Sequence, residues 1–309
     1  MTILKNIRDL FLIIIGTFQS FLIIKKTKPG ILFTRGGYLS VPVALAAKIN
    51  HVPYITHDSD SIPSLTNKII ARWAKINAVS IDSKYLRYPE TKKVKIGVPV
   101  SSEFVPVSQD LKNAYRKTLS IPVDSKMILV IGGGLGSVTI NEAFLEFVQK
   151  LLEDIPDVRI YHIVGIKNLK KMTKKYQEIV GSDDRIKVMD FIDGVYQYSG
   201  AADLIISRAG ATNLAEFSIQ AKPCIIIPSP YLTGGHQLKN AEFLEEKNAA
   251  VVLQEDQIIE KSDILFDKIV KLLNDDEYRK SLSENIAKIA VFGATEKLAD
   301  LILSNASEK

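Results

Sequence analysis

Short, continuously apolar segments alternate with longer segments of helical period along most of this chain, and that alternation restricts the fold more than any other feature. An unbroken apolar run is typical of a parallel strand buried on both faces, and parallel strands need helical crossovers between them. The alternation begins after Pro29-Gly30, stops in a mixed polar segment, and restarts near residue 126. We therefore predict an α/β protein with two doubly wound parallel sheets, one for each series of strands.

The length of 309 residues also suits two domains. The predicted strands of the first series are residues 31–34, 54–56, 78–81 and 93–96, and those of the second are 127–131, 160–164, 186–189, 204–207, 224–227 and 249–253. We predict a first domain over 1–105, a linker with one helix over 106–125, and a second domain over 126–290. For the final helix, over 291–309, packing back on the first domain is one option.

Composition excludes several classes of protein. A hydrophobic fraction of 46% and a charged fraction of 24% exclude wholesale disorder and a multi-span membrane protein. The net charge of +5 suits a nucleotide, a phosphate or an anionic membrane, and is too small to indicate nucleic acid. The single cysteine, Cys224, excludes an intramolecular disulfide and a cysteine-based zinc site, and the four histidines lack metal-ligand spacing.

A strongly apolar run extends from Leu10 to Ile24 and is followed by Lys25, Lys26 and Lys28. It is shorter than the roughly 20 apolar residues of a membrane span, and lysines stand where a signal peptide needs small residues. We interpret it as one long helix, half buried and half exposed as an apolar face with a basic rim that rests on an anionic bilayer. An entirely buried helix is the alternative.

Ligands of doubly wound sheets bind at the carboxyl ends of the strands, so the loops there are the candidate sites. The run GGGLGS, residues 132–137, lies between a predicted strand and a helix. Glycines let backbone N–H groups approach a ligand, and the helix N-terminus that follows favours an anion. The spacing matches neither the dinucleotide fingerprint nor a P-loop. We interpret the run as a generic phosphate-facing loop, with a simple tight turn as the alternative.

The run SRAGATNLAE, residues 207–216, forms a second junction of strand, glycine and helix. Arg208 is positioned to neutralise a phosphate, and Gly210 opens the loop. Thr212 or Asn213 could cap the helix. Glu216 lies one turn further, where a carboxylate can accept both hydroxyls of a ribose or simply complement the helix dipole.

Three further segments carry polar residues after predicted strands. His236 and Gln237 stand at a helix start, where polar side chains point into the crevice, although a surface histidine is equally reasonable. The run TRGGYLSVP, residues 34–42, gives a glycine junction in the first half. Asp58-Ser59-Asp60 matches the DxD pattern that holds Mg²⁺ on a nucleotide diphosphate, but this pattern is common by chance, and we assign no metal to it.

These runs together resemble glycosyltransferase family 28. The motifs occur in the family's order: GGY-x-S-x-P, HD followed by TN, GVPV, GG-x-x-G, FID, R-x-GA-x(4)-E and HQ-x-x-NA. The resemblance implies a GT-B fold, with two Rossmann-like domains facing a cleft, the donor nucleotide on the second and the lipid acceptor on the first. It implies inverting, metal-independent and cofactor-free transfer of N-acetylglucosamine from UDP to an undecaprenyl-diphosphate-linked muramyl pentapeptide, a step of peptidoglycan synthesis.

The resemblance also implies residue roles. On the donor side it implies a diphosphate cradle, a backbone contact to uracil at Ile192, and contacts to phosphate, ribose and sugar. With the positions reasoned above, the predicted donor-binding residues are Gly133, Gly134, Leu135, Gly136, Ile192, Arg208, Gly210, Ala211, Thr212, Asn213, Glu216, His236 and Gln237. The predicted residues of the acceptor and sugar side are Gly36, Gly37, Tyr38, Asp60 and Ser101.

The chain departs from the family pattern at several positions. Gly134 replaces a serine, Ser101 replaces an arginine, and Asp60 replaces an amide. The family opens with a strand and a GGTGGH-like loop that supplies a candidate catalytic base, and we find no such segment here. We therefore expect an N-terminally incomplete first sheet, from a fragment or mis-started frame, a missing piece on a second chain, or lost activity. His57 is the stand-in base, and we expect UDP binding with little transfer by this chain alone.

Two other functions remain open at this point. One is a UDP-sugar epimerase or glycolipid synthase on the same fold. The other is a non-catalytic UDP-sugar-binding or membrane-docking subunit that needs a partner chain. For the leading hypothesis, the expected partners are a UDP-sugar, a polyprenyl-diphosphate acceptor and an anionic membrane, without nucleic acid. The expected location is the cytoplasmic face of the cell membrane, as a peripheral protein.

Overall fold

A computed structural model describes the backbone of residues 2–306, with their side chains except those of residues 2–7, 10 and 233. The chain forms two compact units. One contains the segments up to Pro99 and from Val291 onward, and the other is Val100–Ala290.

The first part of the chain forms a parallel sheet with the strand order β1-β2-β3-β4. Its elements are α1 (Thr2–Thr27), β1 (Leu32–Thr34), α2 (Ser40–Ile49), β2 (Tyr54–Asp58), α3 (Leu65–Ile70), a short 3₁₀ helix (Ala71–Trp73), β3 (Ile76–Val79) and β4 (Lys93–Lys95).

The second unit contains a six-stranded parallel sheet with the order β10-β9-β8-β5-β6-β7. Its elements are α4 (Gln109–Thr118), β5 (Lys126–Ile131), α5 (Val138–Asp154), β6 (Val158–Ile163), α6 (Leu169–Val180), β7 (Ile186–Met189), α7 (Val195–Ala201), β8 (Leu204–Ser207), α8 (Ala211–Ile219), β9 (Cys224–Ile226), a 3₁₀ helix (Thr233–Gly235), α9 (His236–Glu246), β10 (Val251–Val252), α10 (Glu255–Glu260), α11 (Asp263–Asn274) and α12 (Asp276–Ala287). The predicted α/β class with two parallel sheets is confirmed.

The last helix, α13 (Ala294–Asn305), belongs to the first unit. Its residues Leu298, Leu301 and Ile302 pack on one face of the first sheet, against a small buried cluster of Ile55, Ala78 and Ile96. The segment that leads into α13 lies very close to Gly97: a Cβ added to Gly97 would lie 2.8 Å from Cβ of Val291. The helix therefore completes the first core by burying an otherwise open face of the sheet.

The strand order of the second sheet reverses between β5 and β8, which are paired directly. Ile128 to Ile131 of β5 lie beside Leu204 to Ser207 of β8, so both strands end at the same level. Every residue of β5 after Lys126 is buried, because helices cover both faces of the sheet. Such a reversal is the point where a doubly wound sheet opens a crevice for ligands.

Asp203, just before β8, holds α4 to the second unit. Its carboxylate lies 2.6 Å from Nη2 of Arg116 and 2.5 Å from Nζ of Lys112, and it accepts the N–H of Met127. Burial opposes the charge, but Lys112 and Arg116 outweigh it and hold the pKa of Asp203 below its usual value. The segment 106–125, predicted as a linker, is thus packed into the second unit through its helix.

Candidate functional site

The glycine-rich loop after β5 forms an open turn. Gly133 and Gly136 have φ angles of +90° and +74°, in the left-handed region that glycine adopts without strain. The N–H of Gly136 donates to the carbonyl of Gly133 at 2.9 Å. A Cβ on Gly133 or Gly134 would meet nothing within 4 Å, and Leu135 is 85% exposed. A ligand can therefore approach the backbone of the predicted residues Gly133 and Gly134 closely.

The second glycine junction begins α8. Gly210 is the N-cap residue and has no side chain to bind the first N–H groups of the helix, which include those of Ala211, Thr212 and Asn213. Uncapped N–H groups and the helix dipole together favour an anion. Asn213 does not cap the helix; its Nδ2 lies 3.4 Å from Oγ of Ser207 at the end of β8.

The two junctions lie next to each other because of the strand register. Ile131, just before the glycine loop, is paired with Ser207, just before the α8 junction. Two helix N-termini, of α5 and α8, therefore follow neighbouring strand ends within a single unit. This arrangement offers backbone N–H groups for the two phosphates of a nucleoside diphosphate.

Glu216 lies on α8 beyond this junction and is half-buried. Burial raises the pKa of its carboxyl from the ordinary 4.5 to about 7. No charged partner offsets that cost within the part of the chain that the structure describes. A half-buried carboxylate without a cationic partner is suited to accept hydroxyl donors such as those of a ribose.

The contacts of Arg208 differ from those predicted from the sequence. Its Nη2 lies 2.5 Å from Oε1 of Glu255 in a buried ion pair, and its Nη1 donates to the carbonyl of Ile227. The guanidinium is therefore neutralised within the protein and holds the loop after β8 against α10. This arrangement argues against Arg208 as the residue that neutralises a phosphate.

The third predicted segment places Gln237 and His236 in the first turn of α9. Oε1 of Gln237 accepts the N–H of Ser229 at 2.9 Å, so this side chain fixes the loop that follows β9. His236 is half-buried, and Gly235 before it has a φ of +67°. Both side chains thus lie at a helix start, as expected.

Ile192 is buried, and its side chain is part of the core under the second sheet. Only its backbone can serve the uracil contact that the family resemblance implies. The preceding Phe191 is 55% exposed.

In the first unit, the loop after β1 is tightly packed at Gly36. Its φ is +86°, and a Cβ there would lie 2.5 Å from Oγ of Ser64. Gly37 has open space around it, and Tyr38 is 82% exposed. The predicted acceptor-side residues Gly36, Gly37 and Tyr38 therefore form a fixed turn that carries one exposed aromatic ring.

We predicted His57 as a candidate base on a loop, and the predicted location on a loop is wrong. β2 extends to Asp58, so His57 lies inside the strand and is fully buried. Its Nε2 lies 2.9 Å from the carbonyl of Gly97, which can only accept, so Nε2 carries the proton. Burial lowers the pKa of His57, which makes it a neutral structural donor rather than an exposed base.

The carboxylate of Asp58 is also held by hydrogen bonds within the protein. Its carboxylate accepts the hydroxyl of Tyr88 at 2.5 Å, the amide of Asn67 at 2.8 Å and the N–H of Ser64 at 3.1 Å. Burial raises its pKa despite these bonds. The DxD pattern therefore describes a strand end with a satisfied carboxylate, followed by the half-buried Asp60.

Ser101 belongs to the second unit, although the sequence assigned it to the first domain. Its hydroxyl donates to Oε2 of Glu103 at 3.2 Å, and the nearby Phe104 packs edge-on against the ring of Tyr196. These contacts explain why the boundary between the units follows Pro99.

Two residues that support the loops from below, Asn240 and Glu255, were not predicted from the sequence. Asn240 donates to the carbonyl of Ala209 and fixes the α8 junction, and Glu255 binds Arg208. Asn240 is part of the HQ-x-x-NA motif, which marked it without giving it a role. Glu255 carries no local signal, because its partner is 47 residues away in the sequence.

Comparison with known proteins agrees with this arrangement. Residues 127–301 match the glycosyltransferase family 28 C-terminal domain, and residues 1–79 match the glycosyltransferase family 28 N-terminal domain. The UDP-N-acetylglucosamine–N-acetylmuramyl-(pentapeptide) pyrophosphoryl-undecaprenol N-acetylglucosamine transferase of Acetivibrio thermocellus is 32% identical over 304 residues, covering 98% of this chain and 79% of that protein. The protein of the same name from Natranaerobius thermophilus is 32% identical over 292 residues, covering 94% and 78%.

Solved structures show the same similarity. The crystal structure of Acinetobacter baumannii MurG has a TM-score of 0.78 and 25% identity, and the match covers 95% of this chain and 79% of that one. A structure of S. aureus MnaA with UDP has a TM-score of 0.69 at 16% identity, covering 96% and 82%, and shows a shared fold. The predicted GT-B class is confirmed by these neighbours.

The C-terminal domain match alone spans more than half of the chain, and relatives above 30% identity cover nearly all of it. The paired glycine junctions and the motif order lie within these matches. The chain belongs to glycosyltransferase family 28.

Proposed function

We propose that this protein transfers N-acetylglucosamine from UDP-N-acetylglucosamine to an undecaprenyl-pyrophosphoryl N-acetylmuramyl-pentapeptide. The observation that carries the proposal is the pair of glycine junctions at the strand-order reversal, with Glu216 on the same helix as the second junction. The names of its relatives support the choice of donor and acceptor.

In this proposal the donor is held mainly by backbone groups. The N–H groups of the glycine loop and of the first turn of α8 bind the diphosphate, and Glu216 accepts hydroxyl groups of the ribose. The backbone of Ile192 reads the uracil, and Gln237 and His236 lie beside the sugar. Arg208 acts only indirectly, by holding the loop in place.

The acceptor hydroxyl attacks the anomeric carbon in line with the departing UDP, which inverts the configuration. Negative charge grows on the β-phosphate as the bond breaks, and fixed N–H dipoles stabilise it without reorganisation. A general base takes the proton of the acceptor hydroxyl. Because His57 is buried and donates to Gly97, we propose that this base is another group.

The edge of the first sheet supports the proposal of a second chain. β1 lies at the edge, yet both of its faces are apolar: Leu32 packs on one cluster and Phe33 on another. Both faces are apolar because helices cover them, and what the edge itself leaves open is a series of N–H and C=O groups that another strand can pair with. We propose that a parallel strand from a second chain pairs with β1 and completes the acceptor side.

Helix α1 supports a peripheral position on an anionic membrane, at its cytoplasmic face. It packs on α2, with Gly16 against Pro42, and exposes large apolar side chains along the rest of its surface. These side chains are Phe11, Leu12, Ile14, Ile15, Phe18, Leu22 and Ile23. Among the described residues, no helix is long and apolar enough to span a bilayer. The lysines at its C-terminal end are positioned to meet anionic headgroups.

The transfer reaction is the first test. We expect this chain alone to transfer labelled N-acetylglucosamine only slowly from UDP to a short-chain analogue of the lipid acceptor, and EDTA to leave that rate unchanged, because helix N-termini replace a metal. The rate should rise when the family's strand, glycine loop and helix segment is added as a second chain. Loss of UDP binding in EDTA with recovery in Mn²⁺ would contradict metal independence. No transfer with or without the added segment would contradict the function.

Replacement of Glu216 tests the ribose contact. We expect Glu216→Ala to weaken UDP about tenfold, the size of one lost hydrogen bond to a charged group. The variant should bind 2′,3′-dideoxy-UDP as the native protein does, since that ligand lacks both hydroxyls. Calorimetry measures all four affinities. An equal loss for both ligands would show that Glu216 does not contact the ribose.

Glu216→Gln is the matched control, because it keeps an acceptor and removes the charge. The pKa of Glu216 is about 7 in the folded protein and 4.5 in the unfolded chain. The unfolded chain therefore ionises first as the pH rises, and the free energy of unfolding falls between pH 4.5 and 7. We therefore expect Glu216→Gln to raise Tm relative to the native protein above pH 7 and to lose that advantage below pH 4.5. A Tm difference independent of pH would contradict the burial account.

Vesicle binding tests the membrane surface. We expect the protein to sediment with phosphatidylglycerol vesicles and to be released by salt, because each basic residue near the surface contributes about 1 kcal/mol that salt screens. Phe11→Ser with Phe18→Ser should weaken binding strongly. Leu303→Ser is the control, since Leu303 is exposed on α13 and lies outside α1. Equal effects of both variants, or resistance to salt and to alkaline carbonate, would contradict peripheral docking through α1.

A further inference from the structure

A chain of hydrogen bonds runs through the core of the second unit, beneath the glycine loop. The hydroxyl of Tyr176 on α6 lies 2.6 Å from Nδ1 of His162 on β6. Nε2 of His162 lies 3.0 Å from Oδ1 of Asn141, in the first turns of α5. Nδ2 of Asn141 donates to the carbonyl of Val164 at 3.0 Å. Tyr176, His162 and Asn141 are all buried, and we call them the relay.

The bonding pattern fixes the proton positions in the relay. Nδ2 of Asn141 is its donor to Val164, so Oδ1 of Asn141 can only accept. Nε2 of His162 must therefore carry the proton, and Nδ1 accepts the hydroxyl proton of Tyr176. Complete burial lowers the pKa of His162 to about 3, so the ring is neutral at ordinary pH. The hydrogen bonds of the relay are therefore all donated in one direction, from Tyr176 towards Val164.

The relay ends directly under the glycine loop. A Cβ on Gly136 would lie 2.0 Å from the carbonyl oxygen of Val164, and one on Gly165 would lie 2.4 Å from the carbonyl of Leu135. The carbonyl of Val164 also accepts the amide of Asn168 at 2.8 Å, so both of its lone pairs are used. The loop therefore rests on the carbonyl of Val164, which Asn141 and Asn168 both hold by hydrogen bonds.

A purely structural role does not require this arrangement. His162 and Tyr176 lie in the large apolar core, with His162 facing the ring of Phe144, and two apolar side chains of similar volume would pack there without a hydrogen bond between them. Replacing paired buried polar groups by apolar ones is often nearly neutral for stability. The relay instead fixes the orientation of the Val164 carbonyl, on which the glycine loop rests.

We propose that Tyr176, His162 and Asn141 are positioning residues that set the glycine loop in the orientation needed to bind the diphosphate. This inference rests on the proposed function, because it assumes that the loop binds the diphosphate of UDP. The relay contacts no ligand itself. Its effect should appear in the affinity that the diphosphate adds to the nucleoside, and not in the nucleoside contacts.

The experiment compares UDP with uridine, which lacks the diphosphate. We expect His162→Leu to weaken UDP about tenfold, as for one hydrogen bond to a charged group. The affinity for uridine should stay unchanged. His162→Gln restores an amide donor towards Asn141 and should recover most of the UDP affinity. Ile160→Ala is the control, because Ile160 is buried on the same strand and belongs to the same core without joining the relay.

The two affinities distinguish failure of the proposed function from failure of the positioning role. If the native protein does not bind UDP, the proposed function fails and this inference fails with it. If the native protein binds UDP, but His162→Leu weakens UDP and uridine equally or lowers only Tm, as Ile160→Ala does, the positioning role alone is overturned. Should His162→Leu not fold, Tyr176→Phe gives the same comparison with a smaller loss of UDP affinity. An unchanged ratio of the two affinities in Tyr176→Phe would also overturn the role.

Discussion

The direct pairing of β5 with β8 determines where the loops and helix N-termini of the second unit lie. Strands between them in the sequence, β6 and β7, extend the sheet on one side, and β9 and β10 extend it on the other. The loops that follow β5 and β8 therefore diverge to opposite faces and leave a crevice between two helix N-termini. The glycines, the uncapped helix α8 and Glu216 have their proposed roles only because this pairing places them together.

Buried polar groups hold that arrangement while leaving the crevice free for a ligand. Arg208 and Glu255 fix the loop after β8, and Asn141 with His162 fixes the peptide under the glycine loop. Breaking one partner of a buried ion pair costs about 3–5 kcal/mol, since the other charge is left unpaired. In the proposed donor site, the charge of Arg208 keeps the backbone donors in place, and those donors stabilise the diphosphate without an exposed cation.

The fold followed from the sequence to a large extent, since continuous apolar runs and glycine junctions are local signals. The strand positions differ from prediction by only a few residues, and the glycine loop lies where the pattern placed it. The roles of His57 and Arg208 could not be read in the same way. Each depends on a partner 40 or more residues away, Gly97 for His57 and Glu255 for Arg208, and only the folded chain shows that both are buried. The relay beneath the loop was not predicted either, because its partners lie 14 to 23 residues apart on three different elements that only the fold brings together.

Amide hydrogen exchange with and without UDP tests whether backbone N–H groups bind the diphosphate, because it measures those groups individually. We expect UDP to slow exchange in two short segments, residues 133–137 and 210–213, and to change exchange at the other helix N-termini of the second unit much less. Protection that avoids both segments, or that appears only in the first unit, would contradict the assignment of the nucleotide to the strand ends of β5 and β8.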